Sequence, residues 1–126
     1  MSEPVHESVG ADELLDALRE YATKAGASPR VNKTLGAWDC RIHILATDHD
    51  AAFTLVVTGG QPAEPTPGPT GTPDLVVRGH SFDLAEIFWG DANPVSNYMQ
   101  GAIRTQGRSE DVMRLDAMAM FVFLGQ

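Results

Sequence analysis

The segment 109–124 constrains the fold more than any other part of the chain. It has helical periodicity, and at about 100° per residue its apolar side chains form two separate ridges. One ridge consists of Val112, Leu115, Ala119 and Val122, and the other of Met113, Ala117, Met120 and Leu124. A polar stripe starts at the Glu110–Arg114 pair and gives way to Ala117 and Phe121. The helix therefore becomes apolar on every side, and a chain of 126 residues can bury such a helix in few places.

Three environments for the apolar end of this helix remain open. It can pack into the core, form one wall of a cavity for an apolar ligand, or dock on a partner subunit or a membrane surface. Methionine adapts to irregular surroundings in a core as well as in a pocket, so the nearby methionines do not decide between these environments. They are Met99, Met113, Met118 and Met120.

The charge balance excludes some classes of partner. Nine basic and 17 acidic residues give a net charge of −8 and an isoelectric point near 4.7. A chain without a net positive field is expected to have neither nucleic acid nor an anionic membrane as its main partner. The single cysteine, Cys40, excludes an internal disulfide and a thiolate zinc cage.

Targeting and membrane signals are not found in the sequence. The first residues are acidic, and no stretch approaches the roughly 20 apolar residues that a membrane span requires. The hydrophobic content of 43% and charged content of 21% are typical of a globular protein. We therefore expect one cytoplasmic domain over residues 1–126, without stable membrane insertion.

The first half of the chain predicts a helix followed by a β-hairpin. The apolar face of a helix from Ala11 to Ala25 consists of Leu14, Leu18, Tyr21, Ala22 and Ala25. Residues 28–29, Ser-Pro, prevent its continuation, and residues 31–35 are expected to form a short strand. Alternating apolar residues in 38–47 and 52–58, on either side of an Asp-His-Asp turn, predict two antiparallel strands.

Residues 59–73 differ from the rest of the chain because they hold five of its eight prolines and four glycines. Proline fixes φ and lacks an N–H donor, so this stretch is expected to be neither a central strand nor a helix. We interpret it as a mobile surface loop. A proline-rich recognition segment, with PxxP spacing between Pro62 and Pro65, is the weaker alternative.

The second half predicts two further strands and three helices. Residues 74–79 and 102–106 have strand character, and Ser81 is suited to cap a helix that runs to Trp89. A short helix is expected over 95–100, before the closing helix. The complete order predicts an α+β fold, with a mainly antiparallel five-stranded sheet and helices covering one face.

Four segments of the second half occur in a characteristic order before the closing helix. They are Asp74-Leu-Val-Val-Arg-Gly79, Leu84-Ala-Glu-Ile-Phe-Trp-Gly90, Asn93-Pro94 and Tyr98-Met-Gln-Gly-Ala-Ile-Arg-Thr-Gln-Gly107. In this order they resemble the lipid-transfer domain of the sterol carrier protein 2 (SCP-2) family. The resemblance covers residues 74–124 and extends to the preceding hairpin. The chain departs from the family pattern in its proline-rich loop, which replaces a tight connection between strands.

The resemblance implies an apolar tunnel between one sheet face and the helices, open near the C-terminal helix. It implies a sterol, fatty acid, acyl chain or phospholipid as ligand, and burial at about 0.8 kcal/mol per methylene gives affinity without a charged anchor. The residues expected to line the tunnel are Phe53, Leu55, Ile87, Phe88, Met99, Ile103, Met113, Met118 and Phe121. Aromatic and methionine side chains crowd the C-terminal helix, which leaves the ligand's size open.

Candidate catalytic and metal-binding groups are few. His80, Ser81 and Asp83 lie together at a helix start, where the cap explains Ser81 better than a catalytic triad does. A second polar group around the hairpin turn consists of His43, Asp48, His49 and Asp50. Turns favour aspartate without any metal, so we predict no metal site, no cofactor and no catalytic residue.

The sequence thus predicts non-catalytic binding and carriage of an apolar ligand. One alternative is a small pathway enzyme that cyclises or isomerises a hydrophobic intermediate in the same pocket, with His43 or His80 as its proton donor. The other alternative is an interaction module that forms a homodimer through Phe121 and its neighbours on the C-terminal helix.

Overall fold

The computed structural model describes residues 10–89, 101 and 103–124. Its helices are α1 (Ala11–Ala27), α2 (Pro29–Leu35), α3 (Ser81–Trp89) and α4 (Ser109–Leu124). Its strands are β1 (Cys40–Ala46), β2 (Ala51–Thr58), β3 (Gln61–Pro62), β4 (Thr66–Pro67), β5 (Leu75–Gly79) and β6 (Ile103–Gly107). The helix expected over 95–100 lies outside the described residues. Among the described residues, no helix is long and apolar enough to cross a membrane.

The α+β class is confirmed, and the strand pairs are mainly antiparallel, as expected. The described residues form six strands where five were expected, and one parallel pair makes the sheet mixed. The order is β3-β2-β1-β5-β6, and β4 also pairs with β2. The hairpin of β1 and β2 is antiparallel, as predicted, and so is the β5–β6 pair. The β1–β5 pair is parallel, because the proline-rich segment returns the chain to the start of β1 on its other side.

The predicted strand over residues 31–35 is wrong, because this segment forms helix α2. Pro29 occupies its first turn, and the Ser28 hydroxyl accepts a hydrogen bond from the backbone N–H of Val31 at 3.3 Å. Val31 and Leu35 are both buried, and their spacing of four residues places them on one helical face. The same apolar spacing also fits one face of a strand, so the sequence pattern alone does not distinguish a strand from a helix in this segment.

The core lies between the helices and one face of the sheet. All five residues predicted for the apolar face of α1 are buried, and Tyr21 makes an edge contact with Phe88 of α3, with ring centroids 4.9 Å apart. Inward side chains of the sheet alternate with outward ones, as Ile42, Leu55 and Leu75 show by sharing a row of the register. The helices therefore cover one face of the sheet.

The proline-rich segment remains at the surface but is held against the opposite face of the sheet. Strands β3 and β4 come from this segment, and both pair with β2. The Thr54 hydroxyl donates to the Gly68 carbonyl at 2.7 Å and accepts from the Thr70 N–H at 2.9 Å. The Thr70 carbonyl is 3.0 Å from His43 Nε2 and accepts from Arg41 at 3.1 Å. These contacts attach the segment to β1 and β2.

Candidate ligand cavity

A cavity of about 800 Å³ lies where the end of α1, the start of α2 and the end of α4 meet. The break between α1 and α2 shapes one side of it. The backbone N–H of Ser28 donates to the carbonyl of Ala25, and Pro29 then begins α2 in a new direction. The lining residues are Lys24, Ala27, Ser28, Pro29, Arg30, Phe121, Val122 and Leu124.

The last turn of α4 supplies the apolar side of the cavity. Val122 is buried, Phe121 is half-buried against the core, and Leu124 is 58% exposed. The apolar character that this helix acquires towards its end is thus divided between the core, the cavity wall and the solvent. Of the three environments open from the sequence, packing into the core and lining a cavity are both observed.

Among the described residues, the two ionisable side chains that line this cavity are both cations, although the chain as a whole is strongly acidic. Lys24 lies in the last turn of α1 and Arg30 in the first turn of α2, and both are exposed. Within the described part of the chain, neither has a carboxylate partner within 4.0 Å. The cavity therefore combines an apolar wall with a cationic rim.

No protein-family model matches the chain. Solved structures with a similar fold include sterol carrier protein 2, with a TM-score of 0.63 and 14% identity over 87% of this chain and 93% of that one. They also include the UbiJ-SCP2 ubiquinone synthesis protein (TM-score 0.65, 15% identity, 86% and 94% covered) and palmitated SCP2L2 from Aedes aegypti (0.63, 13%, 88% and 95%). The chain has the SCP-2 fold.

A curated relative in the mouse, Stomatin-like protein 1, is 29% identical over 117 residues. The match covers 93% of this chain but only 28% of that relative, so the chain spans about a quarter of the relative's length. The similar solved structures confirm, at the level of the fold, the resemblance read from residues 74–124. Because they cover 86–88% of the chain, the SCP-2 fold includes its first half as well.

The SCP-2 fold places the nine residues expected to line a tunnel in several different environments. Phe121 is the member of this set that lines the cavity. Six others are buried in the core, namely Phe53, Leu55, Ile87, Phe88, Ile103 and Met118. Met113 is 68% exposed on the surface of α4, and Met99 lies outside the described residues. A ligand-binding role for the buried six stays a prediction.

The other seven lining residues were not selected from the sequence. Residues 28–29 were interpreted as the end of a helix, which is correct, but nothing local indicates that this break faces the end of α4. Val122 was placed on an apolar ridge, and its burial follows from that pattern. Lys24 and Arg30 carried no signal beyond their charge.

The histidines considered as proton donors do not line this cavity. His43 contacts the Thr70 carbonyl on the opposite face of the sheet, and His80 Nε2 lies 3.5 Å from the Asp48 carboxylate at the β1–β2 turn. Asp48 also accepts hydrogen bonds from the hydroxyl and backbone N–H of Ser81, at 2.6 and 2.8 Å. Ser81 is the first residue of α3 and bonds to this turn, so its predicted role as the cap is wrong by one position. No cluster of three potential metal ligands occurs in the described ranges.

A buried carboxylate ties the start of α4 to the chain before β1. Asp111 is fully buried and accepts hydrogen bonds from the Trp38 indole at 3.0 Å and from Arg108 Nε at 3.2 Å.

Burial, together with the nearby Asp111 and Asp74 carboxylates, raises the pKa of the Cys40 thiol from 9.0 to about 12. Cys40 is buried, and its raised pKa keeps the thiol protonated and unreactive at neutral pH.

We expect Cys40 to make the folded state less stable in alkali. The unfolded thiol ionises near pH 9 while the folded thiol stays protonated, so stability falls as pH rises above that value. One such thiol costs about 1.4 kcal/mol by pH 10. Denaturant unfolding at a series of pH values checks this. The fall should be smaller by that amount in Cys40→Ala, and an identical pH slope in both proteins would contradict it.

Proposed function

We propose that this protein binds and carries a lipid-class ligand, with the apolar part of the ligand in the cavity at the end of α4. The observation that carries the proposal is the apolar wall of a cavity of about 800 Å³ in an SCP-2 fold. This volume lies within the roughly 300–1,000 Å³ that small-molecule sites occupy in proteins. One of the similar structures is of a palmitated protein, which supports an acyl chain as the ligand.

The energy for binding comes from removing the ligand's chain from water. Ten methylenes buried at about 0.8 kcal/mol each supply about 8 kcal/mol before the entropic cost of association is subtracted. The cations at the rim favour an anionic headgroup, which stays in water at the mouth while the chain enters. An amphiphile with one acyl chain and a carboxylate or phosphate therefore suits both parts of the cavity.

Lipid that co-purifies with the protein tests the proposal directly. We expect native mass spectrometry of protein prepared without detergent to show a bound species, and extraction to recover a lipid. A fluorescent acyl probe should bind in vesicle-free solution and be displaced by an unlabelled fatty acid. Absence of both co-purified lipid and probe binding would contradict the carrier function.

A further inference from the structure

We propose that the face of the sheet turned away from the helices binds an acidic segment of a partner protein. The surface in question is separate from the ligand cavity, so the proposal goes beyond lipid binding. It is the open half of this outer face, and its side chains are those of Leu45, Val76, Arg78, Arg104 and Gln106, on β1, β5 and β6.

Two arginines, here called the arginine pair, lie directly opposite each other on the open half. Arg78 of β5 and Arg104 of β6 are partners in the antiparallel register, and both side chains are exposed. Their Cβ atoms are therefore about 5 Å apart. Among the described residues, neither guanidinium lies within 4.0 Å of a carboxylate. Like charges at directly opposed positions destabilise a sheet, so the stability of the fold does not explain the pair.

The fold separates a basic sheet from an acidic layer of helices. The six described strands contain three basic residues, Arg41, Arg78 and Arg104, and no Asp or Glu, although the chain has 17 acidic residues. The four described helices contain nine acidic and five basic residues. Because charges are largely screened beyond about 8 Å at physiological ionic strength, a partner in contact with the outer face interacts mainly with the arginines there.

The proline-rich segment covers the other half of the outer face. The Thr70 carbonyl accepts a hydrogen bond from Arg41 at 3.1 Å and lies 3.0 Å from His43 Nε2. Since His43 and Val76 are neighbours in the register of β1 and β5, the segment borders the open half. Arg41 is thus bonded within the chain, whereas the arginine pair remains available to a partner.

The surroundings of the arginine pair favour a polypeptide over other anionic partners. No Phe, Tyr or Trp occupies an outward position of the described strands, whereas surfaces that bind single-stranded nucleic acid stack bases on aromatic rings. Leu45 and Val76 are only half-buried and suit the apolar parts of a peptide. Guanidinium groups bind carboxylates through two parallel hydrogen bonds, which makes Asp and Glu side chains the complementary groups.

Binding of an acidic peptide tests this surface. The probe is a fluorescent peptide of alternating Glu and Ala, and the matched peptide has Gln in place of every Glu. We expect fluorescence anisotropy to show binding of the Glu peptide, weakened by high salt, and much weaker binding of the Gln peptide. Arg78→Gln with Arg104→Gln removes two exposed ion pairs and should bind the Glu peptide about tenfold more weakly. Equal affinity for the two peptides would overturn the proposal.

Two controls separate the outer face from general charge and from folding. Lys33→Gln with Arg114→Gln removes the same charge from exposed positions on α2 and α4, so the Glu peptide should bind as it does to the unchanged protein. Equal losses in both double variants would overturn the proposal. Arg78→Gln and Arg104→Gln alone should not lower the urea midpoint, because each relieves a like-charge contact. A lower midpoint in both would assign the arginines to the fold and overturn the binding role.

Three further measurements identify other occupants and keep the two proposals apart. Tighter binding of an oligothymidine than of the Glu peptide, lost in the double arginine variant, would assign the surface to nucleic acid and overturn the proposal. Self-association in sedimentation velocity that the same variant abolishes would show that a second copy presents its acidic helices to this face, with the same consequence. The variant should bind the acyl probe normally, because the cavity lies on the helix side of the sheet.

Discussion

Replacing Phe121 with aspartate is expected to weaken binding of a fluorescent acyl probe by about 30-fold or more. Phe121 is half-buried and lines the cavity next to the buried Val122. An apolar side chain of this size contributes about 1.5–3 kcal/mol when it is covered, and a carboxylate in its place must lose water when the ligand's chain enters. Equilibrium titration of the probe in vesicle-free solution measures the change.

The matched control for this variant is Met113→Asp, which makes the same change of charge on the same helix. Met113 is 68% exposed and does not line the cavity, so the structure predicts nearly unchanged probe binding. The sequence predicted that both residues line the tunnel, whereas the structure places Phe121 at the cavity and Met113 on the surface of α4. The two variants therefore distinguish the sequence-based prediction from the prediction based on the structure. Phe121→Leu keeps an apolar side chain at this position, and circular dichroism shows whether each variant is folded. Together these controls distinguish a loss of binding from a loss of folding. Equal losses in both aspartate variants would contradict the cavity.

Replacing Gly60 with alanine is expected to lower the free energy of unfolding by about 3 kcal/mol. Gly60 has a φ of +77°, which alanine rarely adopts, and its N–H donates to the Trp38 carbonyl at 2.9 Å. A Cβ at this position would collide with the carbonyl oxygen of Leu35 and lie 2.7 Å from the carbonyl carbon. Both partners are backbone atoms at the end of α2, so the collision cannot be relieved by a side-chain rotation.

Gly68→Ala is the control for this substitution. Gly68 has a φ of +88°, but a Cβ built on it meets nothing within 4 Å. Alanine there has only the conformational cost of about 1 kcal/mol. Urea unfolding of the three proteins gives the comparison. A Gly60 variant no less stable than the Gly68 variant would show that the contact between α2 and the β2–β3 turn is looser than the structure has it.

Local sequence patterns predicted most of the secondary structure correctly. The face of α1, the β1–β2 hairpin and the bounds of α3 and α4 follow from periodicity and turn residues, which are properties of neighbouring residues. Segment 31–35 was assigned to the wrong class, since five residues with apolar ends fit a strand as well as one turn of a helix. The pairing of β3 and β4 with β2 was missed because proline-rich segments rarely pair.

The candidate site was harder to predict than the fold. Phe121 was found because the polar stripe of the last helix ends there, a signal contained in one helix. Lys24, Pro29 and Arg30 join the site through contact between segments about 90 residues apart along the chain. A pattern within a single element contains no information about which other element faces it.

By itself, the sequence determined that the last helix becomes apolar on every side towards its end, that the chain has no net positive charge, and that the elements form an α+β protein. Only the tertiary structure decided where that apolar surface goes: Val122 into the core, Phe121 into a cavity wall, and Leu124 to an exposed position on the cavity that Lys24 and Arg30 also line. The reason is physical. Periodicity and composition depend on neighbouring residues and on averages, whereas a cavity and its charges depend on which distant surfaces meet.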